Sequence, residues 1–115
     1  MITVYGLKNC DTCRNALKWL KAGAMEHTFH DVRADGVKSA DLSKWVKAVG
    51  WETLLNRRGT TWRQLAEGDK ENIDQPKAEA LMLEHPALIK RPVFVDGDRV
   101  VVGFKEPEKV ALKSF

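Results

Sequence analysis

An α/β fold on a mixed four-stranded sheet is the architecture this chain of 115 residues predicts, and three observations predict it. A β-rich run at the N-terminus passes through a two-cysteine loop into a helical period and then into a second β-rich run, the signature of a βαβ unit. The middle of the chain is helical by period. Near the end, two β-branched runs flank an Asp-Gly turn and a short helix follows, the signature of a hairpin with a terminal cap.

Taken in order, Ile2-Thr3-Val4-Tyr5 is a strand closed by the turn residue Gly6. From Asp11 the period changes: Cys13, Ala16, Leu17, Leu20 and Ala24 make an apolar stripe, Arg14, Lys18 and Lys21 lie opposite, and Gly23 marks the stop. Residues 26–32, with Phe29 and Val32 among polar neighbours, form the second strand, parallel to the first through a right-handed crossover. Leu42, Trp45, Val46 and Val49 mark the next helix, capped by Ser39 or Asp41 and ending at Gly50. The loop Asn56-Arg57-Arg58-Gly59-Thr60-Thr61 leads to a short turn around Trp62 and Leu65. Asp74 caps a third helix with Ala78, Leu81 and Met82 inside, stopped by His85-Pro86. Val93 to Val95 and Arg99 to Val102 are the hairpin strands around Asp96-Gly97, and a helix over 107–113 ends the chain. The order β-α-β, helical insertion at about 37–88, β-β-α in a single domain over 1–115 matches a thioredoxin-like sheet.

Composition sets the frame for function. The chain is 43% hydrophobic and 30% charged, with four Trp, as a folded soluble protein requires. A formal charge of +3, with cations scattered among carboxylates, does not indicate a nucleic-acid footprint, but leaves small anionic ligands open. The first residues already read as a strand rather than a leader, and no apolar run is long enough for a bilayer. The expected location is cytoplasmic, a reducing setting that disfavours a permanent structural disulfide.

Cys10 and Cys13 are the only cysteines. With His27 and His30 they resemble a C-x2-C, H-x2-H metal site. In such a finger the histidines lie on a helix, whereas here they fall in a strand three residues apart, on opposite faces, so no metal site is expected. An inert pair of buried thiols fits Cys13, on the apolar stripe, but not Cys10, in a polar loop between Asn9 and Asp11. The reactive reading is favoured. A cysteine at a helix N-terminus meets unsatisfied N–H groups and the positive end of the macrodipole, both of which favour the nucleophilic thiolate. Lys8 and Arg14 are expected to assist and Asp11 to oppose. Cys10 is then the exposed attacker and Cys13, one turn on, the resolving partner. The four tryptophans read as packing.

The motifs YGLKNCDTCRNA, LLNRRGTTWRQL, ALIKRPVFV and VVGFK, in this order, resemble the arsenate reductase (ArsC) and Spx family, nearest its small YffB-like branch. The resemblance spans nearly the whole chain. It implies a thioredoxin fold with a helical insertion, a catalytic cysteine at Cys10, a cis proline at Pro92 facing that cysteine, and an oxyanion-binding arginine at Arg91. Guanidinium suits that task because its planar fork gives parallel hydrogen bonds to a tetrahedral anion. The sequence departs from arsenate reductases in its second cysteine, in Asn56 where the family has an arginine, and in Phe104 where another arginine is expected. Each missing charge-assisted contact weakens anion binding by ~1.5–3 kcal/mol.

The expected function is therefore a glutathione-dependent thiol-disulfide oxidoreductase with arsenate-reductase-like architecture. The alternatives are a glutathione- or glutaredoxin-coupled arsenate reductase and an Spx-like redox switch that binds RNA polymerase. The expected site is Cys10 and Cys13 with Lys8, Asn9, Arg57, Lys90, Arg91 and Pro92 as substrate contacts. No tightly bound cofactor is expected, glutathione being a co-substrate. The expected partners are a small thiol or oxyanion and glutaredoxin, with no nucleic acid or membrane, and the chain is expected to act as a monomer.

Overall fold

Strand β1 (Ile2–Gly6) runs through the middle of the sheet, and its alternation sets both faces of the molecule. Ile2, Val4 and Gly6 are buried on one face, while Tyr5 packs against the opposite one, as the period of two requires. The computed structural model describes all residues 1–115. Helix α1 (Asp11–Ala22) lies on the first face with Cys13, Ala16 and Leu20 inward. It leads to β2 (His27–Asp31), which pairs in parallel with β1.

Between β2 and β3 come α2 (Ser39–Val49), the single turns α3 (Trp51–Leu54), α4 (Thr60–Gln64) and α5 (Glu67–Lys70), then α6 (Gln75–Glu84) and a 3-10 turn, Pro86–Leu88. Strands β3 (Val93–Asp96) and β4 (Arg99–Val102) form an antiparallel hairpin, and α7 (Glu106–Leu112) closes the fold. The sheet order is β2-β1-β3-β4, with β3 antiparallel to β1. This is the thioredoxin-like α/β arrangement.

Two hydrophobic clusters sandwich the sheet. Ile2, Val4, Phe94, Ala16, Leu20 and Leu112 fill the α1/α7 side. The inserted helices supply the other side, where Trp45, Leu42, Leu54, Met82, Leu88 and Ile89 pack on Val93. Adjacent residues of β3 thus serve opposite cores. Tyr5 bridges Trp45 and His30, with ring centroids 4.6 and 5.0 Å apart.

Four local expectations are corrected. Ala24 is outside α1, exposed and left-handed (φ 53), because Gly23 has already ended the helix. Helix α2 begins at Ser39 with Lys38 as its N-cap and no side-chain cap, so neither Ser39 nor Asp41 caps it. The hairpin loop is Gly97-Asp98 rather than Asp96-Gly97: Asp96 still pairs with Arg99, and Gly97 takes the positive φ (61) at the first loop position. The insertion also holds more helical turns than its apolar period shows. Asp74 does cap α6, its carboxylate accepting the Lys77 N–H at 3.0 Å.

Candidate active site

The loop after β1 ends at Cys10, and the first turn of α1 carries Cys13. Cys10 is the N-cap of α1 with extended backbone (φ −107, ψ 120), and its carbonyl accepts the Arg14 N–H at 3.0 Å, the first bond of the helix. Its side chain is half-buried and open on one side, while Cys13 has no exposed surface; both are free thiols. One turn of helix separates an accessible sulfur from an enclosed one.

Burial is the largest influence on Cys10 and pushes its pKa up, but the opposing influences together prevail and the pKa is lowered. Those are the Cys13 backbone N–H, the Arg91 side chain, the Cys13 thiol and the Arg91 charge. The sulfur does not form a full cap hydrogen bond, so the first-turn amide acts by proximity and orientation. Cys13 goes the other way. Its burial above all, with the Cys10 sulfur adding, pushes the thiol up to about 11, against the Leu7 N–H and Arg91, which pull it down. Two thiols three residues apart are thus driven in opposite directions, one toward thiolate and one toward thiol.

Arg91 comes from the segment before β3. One terminal nitrogen donates to the Ala87 carbonyl at 2.9 Å, which braces the guanidinium on the 3-10 turn. Its Nε is buried without a hydrogen-bond partner. Pro92 follows in a cis peptide, is buried, and accepts the Gly103 N–H at 2.9 Å. Cys10, Cys13 and Arg91 are therefore brought together, with Pro92 attached to the arginine.

The other expected contacts lie around this centre. Lys8 and Asn9 are exposed and line a cleft of about 270 Å3 with Leu7, Asp31, Arg33 and Ala34. Lys8 is not among the groups that lower Cys10, and Arg14 is engaged with Asp11 at 3.0 Å on the exposed face, so the expected tuning by Lys8 and Arg14 is corrected to Arg91. Residues 54–58 run beside 88–90: Leu55 bridges Ile89, Asn56 N–H donates to Leu88, and Lys90 N–H donates to Leu54, both at 2.7 Å. That pairing carries Arg57 and Lys90 on neighbouring segments. Both are exposed, and Arg57 lies over the Trp51 ring at 5.5 Å. Asn56 accepts the Arg58 N–H at 3.0 Å, and Phe104 meets Trp19 edge-on at 5.7 Å, so neither position presents a cation. His27 and His30 hydrogen-bond the Met25 and Gly36 carbonyls, each at 2.8 Å.

Sequence reasoning missed Asp31. Only 8% exposed, its carboxylate accepts the N–H groups of Lys8 (3.0 Å), Arg33 and Ala34 (2.9 Å each). The Ala34 amide does most to hold its pKa below the usual carboxylate value, and the bond to Lys8 ties the cysteine loop to the end of β2. An Asp followed by a polar turn is the available signal for such a clasp.

Comparison with known proteins places this geometry in context. The model of the ArsC family matches residues 5–111. An uncharacterised protein of Haemophilus influenzae is 45% identical over 108 residues, covering 94% of this chain and 95% of the relative. The global transcriptional regulator Spx 2 of Bacillus anthracis is 24% identical over 110 residues, covering 94% and 83%. Among solved structures, the YFFB protein superposes with a TM-score of 0.91 at 43% identity, covering 96% of this chain and 97% of that one.

Proposed function

The chain belongs to the ArsC family, and from that premise we propose that it is a glutathione-dependent thiol-disulfide oxidoreductase with Cys10 as nucleophile. The observation that carries the reading is the Cys10 sulfur at the start of α1 beside the Arg91 guanidinium, whose Nε is buried and unpaired. A buried donor without an acceptor costs ~1–3 kcal/mol, and an anionic sulfur or substrate oxygen at this point offsets that cost.

In the first step the Cys10 thiolate attacks one sulfur of a disulfide substrate. The substrate S–S bond breaks, a Cys10 mixed disulfide forms, and the second sulfur leaves as a thiolate that takes a proton from solvent. A glutathione thiolate then attacks the sulfur of the bound half, forming a glutathione mixed disulfide and freeing the Cys10 thiolate. Alternatively, the Cys13 sulfur attacks Cys10, expels the bound half as a thiolate and leaves a Cys10–Cys13 disulfide for glutathione to reduce. Lys8, Arg57, Lys90 and Arg91 contact glutathione carboxylates, with Asn9 beside Lys8 as a polar contact. The protein works as a monomer, with glutaredoxin as a protein partner in recycling.

Arsenate reduction is the less supported activity, because Asn56 and Phe104 leave the oxyanion without two of the cations it needs. The match to Spx regulators along 94% of the chain keeps a regulatory reading in view, with Cys10–Cys13 as a switch.

The test is a glutathione-coupled assay with a low-molecular-weight disulfide and with arsenate, run on wild type, Cys10→Ser and Cys13→Ser. Turnover on the disulfide that vanishes in Cys10→Ser is expected. Full turnover by Cys10→Ser would refute the reading. Stoichiometric RNA polymerase retained by the tagged protein, with no thiol turnover, would favour the switch.

A further inference from the structure

β1 places Gly6 in the same alternation as Ile2 and Val4, on the face that α1 covers, and so opposite Cys13. A Cβ at position 6 would lie 2.5 Å from the Cys13 sulfur, closer than real atoms approach. Its other neighbours, the Cys13 Cβ at 3.4 Å and Phe29 Cε1 at 3.5 Å, are at van der Waals range. Gly6 is not among the glycines with positive φ, so the backbone here suits any residue. Only the volume of a side chain is forbidden, and only because of one sulfur.

We propose that Gly6 is a positioning residue for Cys13, its missing Cβ forming the seat that holds a buried resolving thiol within reach of Cys10 alone. The inference rests on the attacker-and-resolver reading above and deepens it. Cys13 has no exposed surface, so a dissolved disulfide does not reach it. With the rise and radius of a helix, Cα atoms three residues apart lie ~5 Å from one another, inside the Cα separation of ~4.4–6.8 Å that a disulfide spans. Once Cys10 carries a mixed disulfide, the Cys13 sulfur attacks the Cys10 sulfur. The bond from Cys10 to the bound group breaks, that group leaves as a thiolate and takes the Cys13 proton, and a Cys10–Cys13 disulfide remains. Two glutathione molecules then return two electrons as glutathione disulfide and restore the dithiol.

The electrostatics agree with this order of events. The Cys10 sulfur is among the groups that hold Cys13 protonated, and loading Cys10 removes that charge while Arg91 still favours the thiolate. The resolving thiol acidifies when there is an adduct to resolve.

An aromatic disulfide that releases a coloured thiolate tests the proposal. Wild type is expected to release one equivalent as Cys10 is loaded and a second as Cys13 resolves. In Gly6→Ala the ratio of second to first rate should fall ~tenfold or more, because a displaced reacting atom forfeits effective concentration. Thermal melts supply the control. Gly6→Ala should lower the Tm of wild type but leave that of Cys13→Ala nearly unchanged, the new methyl taking the space the sulfur vacated. An unchanged rate ratio in Gly6→Ala overturns the proposal, as does an equal loss of Tm in both backgrounds. A single equivalent from wild type also overturns it, and places the fault in the role given to Cys13. No release from wild type places the fault in Cys10 itself.

Discussion

Replacing Arg91 with methionine removes a guanidinium from beside the Cys10 sulfur and leaves an uncharged, unbranched stem. In the wild-type fold Arg91 acts on Cys10 both by polar contact and by charge, against the burial that pushes the thiol up. A charge-assisted contact contributes at most ~1.5–3 kcal/mol at this half-buried sulfur, so the Cys10 pKa should rise once the guanidinium is gone. The fold itself should lose little. Arg91→Met gives up one bond to the Ala87 carbonyl but also removes the unpaired Nε, and the two changes in stability oppose one another. Ultraviolet thiolate absorbance followed against pH, with Cys10→Ser as the blank and a urea melt as the control, reads both quantities. A Cys10 titration that does not move in a folded Arg91→Met protein would refute the assignment of Arg91, beside the Cys13 N–H, to the groups that hold the thiolate.

Cys13 gives a second pH signature. Its thiol ionises near the ordinary 9.0 in the unfolded chain and at about 11 in the fold, so the unfolded state loses its proton first. Stability present below pH 9 is therefore lost as pH rises through 11, by at most ~2–3 kcal/mol, and urea melts of wild type against Cys13→Ala across that range should show it. Asp31 carries the opposite sign. Hydrogen bonds to Ala34, Lys8 and Arg33 lower its pKa below 3.8, so its contribution is present above that value and lost as pH falls through the folded one. Asp31→Ala should cost ~1.5–3 kcal/mol in the same melts at neutral pH and abolish that part of the acid dependence. Phe94 has no exposed surface and anchors the α1/α7 core, and Phe94→Ala should cost ~3–5 kcal/mol by urea unfolding.

The elements visible in the sequence are those with enough residues for a period to register. β1, α1 and β2 fall within a residue or two of their expected bounds, because alternation and the Cys13-Ala16-Leu20 spacing are local signals. The single turns α3 and α5, four residues each, are too short for a helical period; α3 is held by the packing of Leu54, whereas α5 buries no residue. In the site, Cys10 at the head of a helix was legible because strand, loop and helix are contiguous. The cation that helps to lower its pKa was not, since Lys8 and Arg14 are near in sequence while Arg91 arrives from the far side of the insertion. Arg91 was marked only by resemblance, as an anion ligand rather than a thiolate partner. The contact of Gly6 with Cys13 was equally hidden, because a glycine after a strand already has a sufficient explanation as a turn.

Which of the two sulfurs is the thiolate decides the chemistry of the site. Alkylation of the native protein at a series of pH values, with the modified residue located by peptide mapping, measures this most directly. The expected result is a single reactive thiol, Cys10, titrating below the ordinary value of 9.0, with Cys13 unmodified until the chain unfolds. Cys10 titrating at or above that value, or Cys13 reacting first in the folded protein, would contradict it.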